Sequence, residues 1–315
     1  MKIVILESLG ISEEEMAELK RPFERQGHTF SLYSRTSDIT EMIEQVKDAQ
    51  ALILADMPLP EKVIQAADSL QFIDVAFTGV DHIALEAARE KGIAVSNASG
   101  YSNQAVAELA LGMTLSLARN IRETEARARA GETKNGLIGW EIQGKTAGIL
   151  GYGNIGKRTA ELFHAFGAEI LASSRSYKDD VPEYIEQTSQ DDLLSRSDIV
   201  VLHVPLNDST RGMINAEKIA LMKPTAILIN VARGPVVVAQ DLADALNNDV
   251  IAGAGVDVFD QEPPLDPDEP LLHCKNILVT PHIAFASEQS MSLRAKIVFD
   301  NLRKWIDGEQ QNVIL

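Results

Sequence analysis

Three side chains that could take part in acid–base chemistry follow three successive apolar runs of the chain. Arg233 lies in "NVARGPVV", Glu262 in "GAGVDVFDQEPP" and His282 in "VTPHIAFAS". Arginine can hold a carboxylate and polarise a carbonyl, imidazolium can protonate the carbonyl oxygen, and a carboxylate can hold that imidazole. The trio therefore suits hydride reduction of a 2-oxo acid, with neutral His282 as the base in reverse. Singly, each residue has a structural alternative: a loop ion pair, a helix-start acid or a cap.

A glycine-rich turn precedes these residues in the chain. The stretch "TAGILGYGNIGKRTAELFHAFGAEILASSR" sets Gly151, Gly153 and Gly156 after one apolar run, at the start of a helical stretch that leads to a second run. In that setting glycines permit a tight turn, close backbone approach to a pyrophosphate and close helix packing. A structural turn without a ligand is the alternative, but the whole pattern predicts a dinucleotide site.

Ser174 and Arg175 stand about 20 residues beyond the first glycines, where NAD-binding proteins usually carry an acid. A hydroxyl beside a guanidinium suits a ribose 2'-phosphate by charge and by geometry, and Lys178 adds a second cation. We therefore predict that NADP is preferred over NAD. The alternative is that Arg175 is a solvated loop residue and that Asp179 or Asp180 binds the ribose.

Short apolar runs alternate with helical stretches, which predicts parallel sheets covered by helices on both faces. The runs are "KIVIL", "ALILA", "FIDVA" and "IAV", followed by "TAGIL", "EILA", "DIVVLHV", "AILINV", "GAGVD" and "NILVT". The fold class is therefore α/β, with two doubly wound parallel-sheet domains and a ligand cleft between them.

The stretch "SNASGYSNQ" at 96–104 interrupts this pattern before a long periodic helix, "AVAELALGMTLSLARNI". We place one domain at 1–99 together with 286–315 and the dinucleotide-binding domain at 100–285. The amphipathic stretch "SEQSMSLRAKIVFDNLRKWIDG" predicts a C-terminal helix that returns to the first domain.

Composition indicates a small-molecule partner. The 315 residues carry a formal charge of −17, which disfavours nucleic acid and anionic membrane surfaces. No apolar run approaches the roughly 18 residues of a membrane-spanning helix, and "MKIVILESLG" is typical of a core strand rather than a signal peptide. We expect a cytoplasmic protein. The single cysteine, Cys274, forms no internal disulfide, and no His, Cys and acid residues show metal-ligand spacing.

With these motifs in order, the chain resembles the D-isomer-specific 2-hydroxyacid dehydrogenases, which include glyoxylate and hydroxypyruvate reductases and phosphoglycerate dehydrogenases. The resemblance is strongest in "GKTAGILGYGNIG", "MKPTAILINVARGPVV", "AGVDVFDQEPP" and "VTPHIA". It implies a Rossmann cofactor domain, a flavodoxin-like substrate domain and a homodimer. It also implies that Arg233, Glu262 and His282 are the catalytic residues.

The resemblance further implies binding residues. It places cofactor contacts, beside the glycines, at Asn154, Ile155, Pro205, Thr210, Val231, Ala232, Asp257 and Ala284. Ala284 stands where family members have glycine. In "FTGVDHI", the backbone N–H groups of Gly79 and Val80 would bind the substrate carboxylate, although a plain turn at Gly79 is the alternative. The Ser174 and Arg175 pair resembles NADP-preferring members.

The expected substrate is glyoxylate, hydroxypyruvate or a similar acid without a phosphate. A phosphoglycerate dehydrogenase is the alternative within the family, but a phosphorylated substrate favours a basic residue, and residues 72–83 contain only His82 as a possible cation. A formate dehydrogenase is a second enzymatic alternative, but enzymes of that kind carry glutamine where Glu262 stands in this chain. Outside enzymology, a dinucleotide-sensing regulator similar to the family's corepressor relatives is the alternative.

Overall fold

The computed structural model of this protein describes residues 1–261 and 264–315. The chain forms two compact units, one of Met1–Ser102 together with Ala286–Leu315 and the other of Asn103–Phe285. The chain thus leaves the first unit after Ser102 and re-enters it at Ala286. The sequence pattern predicted these two domain boundaries after residues 99 and 285.

The first unit is built on a parallel sheet. Its strands are β1 (Lys2–Ile5), β2 (Thr29–Leu32), β3 (Ala51–Leu54), β4 (Phe72–Val75) and β5 (Ala94–Asn97). Their order across the sheet is β2-β1-β3-β4-β5, and all neighbours run parallel. This is the flavodoxin-like order, in which the winding reverses between β1 and β3. Both β3 and β4 are buried along their whole length, as expected of parallel strands covered on two faces.

Helices connect these strands. They are α1 (Glu13–Arg25), α2 (Ile39–Val46), α3 (Glu61–Ala66) and α4 (Leu85–Glu90). Local chemistry fixes where the first two begin, because the side chains of Ser12 and Asp38 accept hydrogen bonds from N–H groups of the first turns of α1 and α2.

The second unit begins with two helices and contains a larger parallel sheet. The helices are α5 (Asn103–Ala118) and α6 (Ile121–Arg129). The strands are β6 (Thr146–Leu150), β7 (Glu169–Ser173), β8 (Ile185–Gln187), β9 (Ile199–Leu202), β10 (Ile227–Asn230), β11 (Gly253–Val256) and β12 (Ile277–Val279). Their order is β12-β11-β10-β9-β6-β7-β8, all parallel. Counted within the unit, this is the Rossmann order extended by one strand, with its reversal between β6 and β9.

The remaining helices of the second unit are α7 (Asn154–Ala165), α8 (Gln190–Arg196), α9 (Ala216–Ile219) and α10 (Ala239–Asn247). The sheet separates two apolar cores, since successive residues of a strand face opposite sides. Leu228 belongs to the core on one side, together with Ile214 and Leu242, whereas its neighbour Ile229 belongs to the core on the other side, together with Met113 and Phe163. The predicted α/β class with two doubly wound sheets is therefore confirmed.

The predicted helix over "AVAELALGMTLSLARNI" ends earlier than expected. It ends at Ala118, because Asn120 takes a left-handed conformation with φ of 49° that ends one helix and starts α6. The C-terminal stretch forms α11 (Glu288–Ile306), which belongs to the first unit. Its buried Asn301 donates from Nδ2 to Oδ1 of Asp74 at 2.9 Å and to the carbonyl of Asn97 at 3.0 Å.

Candidate active site

The glycine turn between β6 and α7 is closed at two glycines and open at the third. Gly151 has φ of +103°, and a Cβ there would lie 2.6 Å from the carbonyl carbon and oxygen of His203. A Cβ at Gly156 would collide with the carbonyl oxygen of Gly151, whereas no described atom lies within 4 Å of a Cβ built on Gly153. The turn therefore has the shape of a cradle for a pyrophosphate at a helix N-terminus.

The first turn of α7 supports this interpretation. Asn154 and Ile155 begin the helix after Gly153, and among the residues of α7, all of which are described, the first turn contains no acid. The positive end of the helix dipole is therefore not neutralised by a neighbouring carboxylate of its own turn.

The segment after β7 presents Arg175 to solvent. The N–H of Gly151 donates to the carbonyl of Ser173 at 2.8 Å, which ties the glycine turn to the end of β7. Ser174 Oγ donates to the carbonyl of Ser176 at 2.8 Å, and Lys178 is held through its backbone by the Gln187 amide at 2.8 and 2.7 Å. Within the described part of the chain, the Arg175 guanidinium has no hydrogen-bond or ion-pair partner. It is available to an anion.

The loop after β9 is braced by its own side chains. Thr210 Oγ1 donates to the carbonyl of Pro205 at 2.6 Å and accepts from the N–H of Asn207 at 2.9 Å. The structure thus gives the Thr210 hydroxyl a role in shaping the loop, and its predicted cofactor contact stays a prediction. His203 Nε2 lies 2.8 Å from Thr159 Oγ1, and burial lowers the pKa of His203 to about 3. A neutral, structural histidine fits this position better than a catalyst.

Arg233 follows β10 on a loop that a buried asparagine holds. Asn230 Nδ2 donates to the carbonyl of Arg233 at 3.0 Å, and its Oδ1 accepts from the N–H of Ala232 at 3.1 Å. Arg233 Nη1 in turn donates to the carbonyl of Ala232 at 2.9 Å. Val231 and Ala232 are buried. The sequence motifs did not single out Asn230 as a site residue. A single polar side chain at the end of the apolar strand "AILIN" could nevertheless have indicated a role at the site.

His282 has a strained backbone that its neighbours maintain. Its φ is +57°, a left-handed conformation that costs an L-residue roughly 1 to 2 kcal/mol. The His282 N–H donates to the carbonyls of Asp257 at 2.7 Å and Thr280 at 3.1 Å. The fully buried Asp257 carboxylate accepts from the N–H groups of Ile283 and Ala284, each at 2.8 Å, and from Thr280 Oγ1 at 2.5 Å. Asp257 therefore fixes the backbone on both sides of the histidine.

The electrostatics of Asp257 follow from this geometry. The pKa of Asp257 is raised above its usual value, because the effect of burial is the largest. The hydrogen bonds from Thr280, Ile283 and Ala284 and the charge of His282 lower the pKa and so offset part of that rise. The resemblance implied a cofactor contact for Asp257, and that contact stays a prediction beside the loop-holding role seen here. Ala284 is buried in the apolar core, which accommodates its methyl group.

The strand order brings these loops to one edge. Because β10, β11 and β12 are parallel neighbours, Arg233, Asp257 and His282 all lie beyond the carboxyl ends of adjacent strands. The loops after β6 and β9 lie at the same edge. In open α/β sheets this edge is where ligands bind. Glu262, the third predicted catalytic residue, lies outside the described residues.

Gly79 and Val80 belong to the first unit and follow β4. The Asn97 amide donates to the carbonyl of Thr78 at 2.7 Å, and the N–H of Ile83 donates to the carbonyl of Val80 at 3.1 Å. Among the described residues, the N–H groups of Gly79 and Val80 have no acceptor. Two adjacent N–H donors of this kind suit an anionic group such as a carboxylate.

Two other kinds of feature are absent from residues 1–261 and 264–315. No cluster of three or more His, Cys, Asp or Glu side chains there could hold a metal ion. No helix there is long and apolar enough to cross a membrane.

Comparison with known proteins identifies the family. Residues 111–284 match the family described as D-isomer specific 2-hydroxyacid dehydrogenase, NAD binding domain. The chain is 34% identical to a hydroxypyruvate reductase of Blautia hydrogenotrophica over 328 aligned positions, covering 100% of this chain and 99% of that protein. It is 38% identical to a glyoxylate reductase of Thermococcus litoralis, covering 85% of this chain and 84% of that protein.

A solved structure of an acyclic imino acid reductase in complex with NADPH and D-arginine superposes with a TM-score of 0.91 and 26% identity, covering 100% of both chains. The fold, the glycine turn and these relatives all indicate the same family. This chain therefore belongs to the D-isomer specific 2-hydroxyacid dehydrogenase family and is an oxidoreductase that uses a nicotinamide cofactor.

Proposed function

We propose that this chain is an NADP-preferring reductase of a small, unphosphorylated 2-oxo acid such as hydroxypyruvate or glyoxylate. The observation that carries the proposal is the His282 loop, in which a strained histidine is held by Asp257 at the strand edge that also carries Arg233 and the glycine turn. Backbone strain of this kind is maintained at functional sites. The relatives named hydroxypyruvate reductase and glyoxylate reductase support the substrate class.

Two groups would hold the substrate. The N–H groups of Gly79 and Val80 would donate to the substrate carboxylate. The Arg233 guanidinium would bind a carboxylate and polarise a 2-oxo group. Asn230 keeps the Arg233 loop in place through the two hydrogen bonds described above.

Reduction requires one hydride and one proton. A nicotinamide cofactor, when bound, would supply the hydride that the 2-oxo carbon takes up. The carbonyl π electrons move to the oxygen, and His282 gives that oxygen its proton, which completes the hydroxyl. In the reverse direction neutral His282 accepts the hydroxyl proton. Glu262, as the acid that would hold the imidazole, completes the proposed trio.

Ser174 and Arg175 are the basis for the proposed cofactor preference. Arg175 is exposed and without a partner in the described chain, which suits a 2'-phosphate. The homodimer and the cytoplasmic location remain predictions, and light scattering of the purified protein would test the former.

A phosphorylated substrate is less well supported. The segment 72–83, which contains the proposed carboxylate-binding loop, offers only His82 as a possible cation, and its Nε2 is engaged with the carbonyl of Ala55 at 2.8 Å. A phosphate would require stronger positive charge than this segment provides.

The test is steady-state oxidation of NADPH and of NADH, side by side, with hydroxypyruvate, glyoxylate, 3-phosphohydroxypyruvate and bulkier 2-oxo acids. We expect the highest kcat/KM with NADPH and an unphosphorylated acid. Preference for NADH would reject the role of Arg175, preference for the phosphorylated acid would reject the substrate class, and no turnover with any acid would reject the proposed reductase.

A further inference from the structure

Glu7 is a buried acid at the edge of the first unit. It follows β1 and is 5% exposed. Its Oε1 accepts from the N–H of Ala55 at 2.7 Å and from the N–H of Met57 at 2.8 Å. Both donors lie in the segment after β3, so one carboxylate oxygen holds the chain where it leaves that strand. The contact joins the loops that flank the winding reversal of the sheet.

Arg35 balances the charge of this carboxylate. Its Nη1 lies 3.1 Å from Glu7 Oε2 and 2.6 Å from Asp56 Oδ1. The pKa of Glu7 is raised above its usual value, mainly by burial and further by the charge of Asp56. The two N–H donors and Arg35 lower the pKa and so offset part of that rise. A buried carboxylate persists only when it is paired and hydrogen-bonded. Glu7, Arg35 and the two N–H donors thus form one polar network.

The same network reaches the loop that carries Gly79 and Val80. His82 Nε2 lies 2.8 Å from the carbonyl of Ala55, and since a carbonyl only accepts, this nitrogen carries a proton. The N–H of Leu59 donates to the carbonyl of His82 at 3.0 Å, and the N–H of Ala84 donates to the carbonyl of Leu59 at 3.1 Å. The segments 55–59 and 79–84 are therefore joined at three points.

We propose that Glu7 and Arg35 are positioning residues for substrate binding: they fix residues 55–57, and through His82 they fix the N–H groups of Gly79 and Val80. The proposal rests on the role of these N–H groups in the proposed function. Neither Glu7 nor Arg35 needs to contact the substrate. Their effect would be on how well the two donors are aimed, because small displacements of binding groups lower affinity and rate.

The test compares Glu7→Ala, Glu7→Gln and a matched control, Glu15→Gln, which removes an acid of the same unit that bonds Ser292 in α11. We expect Glu7→Ala to raise KM for the 2-oxo acid about tenfold or more and to change kcat less than about threefold. Cofactor dissociation constants should not change, because the proposed cofactor residues belong to the other unit. Glu7→Gln should restore much of the loss, since its carbonyl oxygen can still accept from Ala55 and Met57.

Two further measurements separate this proposal from a general loss of folding. Amide hydrogen exchange should rise at residues 55–59 and 79–84 in Glu7→Ala and stay unchanged in Glu15→Gln. The fold increase in KM of the double variant Glu7→Ala/His82→Ala should be smaller than the product of the increases in the two single variants, because both substitutions break one network. Multiplicative effects, an unchanged KM, or a KM that rises equally in the control would overturn the proposal.

The proposal can fail separately from the reductase activity. If the wild type reduces no 2-oxo acid, the calorimetric affinity of oxamate, an unreactive 2-oxo acid analogue, replaces KM as the readout. Weaker oxamate binding in Glu7→Ala would support the positioning role. Equal oxamate binding in Glu7→Ala, Glu7→Gln and the wild type would refute it.

Discussion

At the scale of single residues, His282 is proposed to move the proton. We expect His282→Ala to lower kcat by about 10² to 10⁴, because the carbonyl oxygen loses its proton donor, while the cofactor dissociation constant stays within a small factor of the wild type. Stopped-flow measurement of a single turnover, together with titration of cofactor fluorescence, checks both parts. Full activity in the variant would remove His282 from the mechanism.

Asp257 offers a second test of the same loop. In Asp257→Asn the side-chain nitrogen cannot accept from Ile283 or Ala284, so at least one buried N–H loses its partner, at a cost of about 1 to 3 kcal/mol. We expect a lower free energy of unfolding and a lower kcat, since the left-handed backbone of His282 is no longer held. Chemical denaturation and turnover are the measurements. A variant with wild-type stability would show that the carboxylate does not anchor this loop.

Arg175 is proposed to bind the 2'-phosphate. Removing a charge-assisted hydrogen bond should weaken NADPH binding by about 10- to 100-fold in Arg175→Ala, with little effect on NADH. The matched control is Arg158→Ala, which removes an arginine of the same unit that pairs with Glu161. Titration of both cofactors with each variant decides the point. An equal loss of NADPH and NADH affinity would return Arg175 to the solvated-loop interpretation.

Residue types and order were enough to suggest Arg233, His282 and the glycines, since each stands directly after a recognisable apolar run. They were not enough for Glu7, whose partners Ala55 and Met57 are 48 and 50 positions away in the chain. Nor could the sequence show that Asp257 holds the His282 loop, because that role depends on where the loop after the next strand returns. Contacts between distant segments come from strand order, which composition does not specify.

At the scale of elements, the glycine turn separates folding from binding. We expect Gly153→Ala to fold with unchanged stability and to weaken cofactor binding, because its Cβ would enter the open space of the cradle. Gly151→Ala should instead lower the free energy of unfolding by about 2 kcal/mol or more, from the positive φ and the collision with His203. Thermal unfolding and cofactor titration of both variants test this contrast. Equal stability losses would contradict it.

The apolar runs predicted ten of the strands and overlooked β2 and β8. Both overlooked strands are edge strands with few buried side chains: β2 reads "TFSL" without a buried residue, and β8 is the three-residue "IEQ". Edge strands are partly exposed and therefore carry a weaker hydrophobic pattern. The early end of α5 could not be predicted either, because hydrophobic periodicity does not show that Asn120 adopts a left-handed conformation.

At the scale of the whole molecule, one buried acid should make stability depend on pH. Asp74 in β4 has no exposed surface, its Oδ1 accepts from Asn301, and its Oδ2 has no partner in the described chain. Burial raises the pKa of Asp74 well above its usual range. The unfolded carboxyl ionises near pH 3.9, about its reference value, so the folded state keeps a proton that the unfolded state has lost as pH rises.

The Asp74 contribution to stability is thus fully present below about pH 4 and falls as pH rises towards the pKa of the folded state. Asp74→Asn cannot ionise and lacks this dependence. We expect the free energy of unfolding of the variant to increase relative to that of the wild type between pH 5 and pH 8, as measured by denaturant titration. A difference that is the same at both pH values would contradict this prediction.

The first unit is assembled from two separated stretches of chain, with Asn301 of the second stretch bonded to Asp74 and Asn97 of the first. During synthesis on a ribosome, residues 1–102 emerge long before the helix that completes their core. The intervening 103–285 form a contiguous unit and can fold first. Residues 1–102 therefore leave the apolar surface that this helix covers exposed until residues 286–315 have been translated. Chaperone dependence during synthesis should accordingly be concentrated in the N-terminal segment.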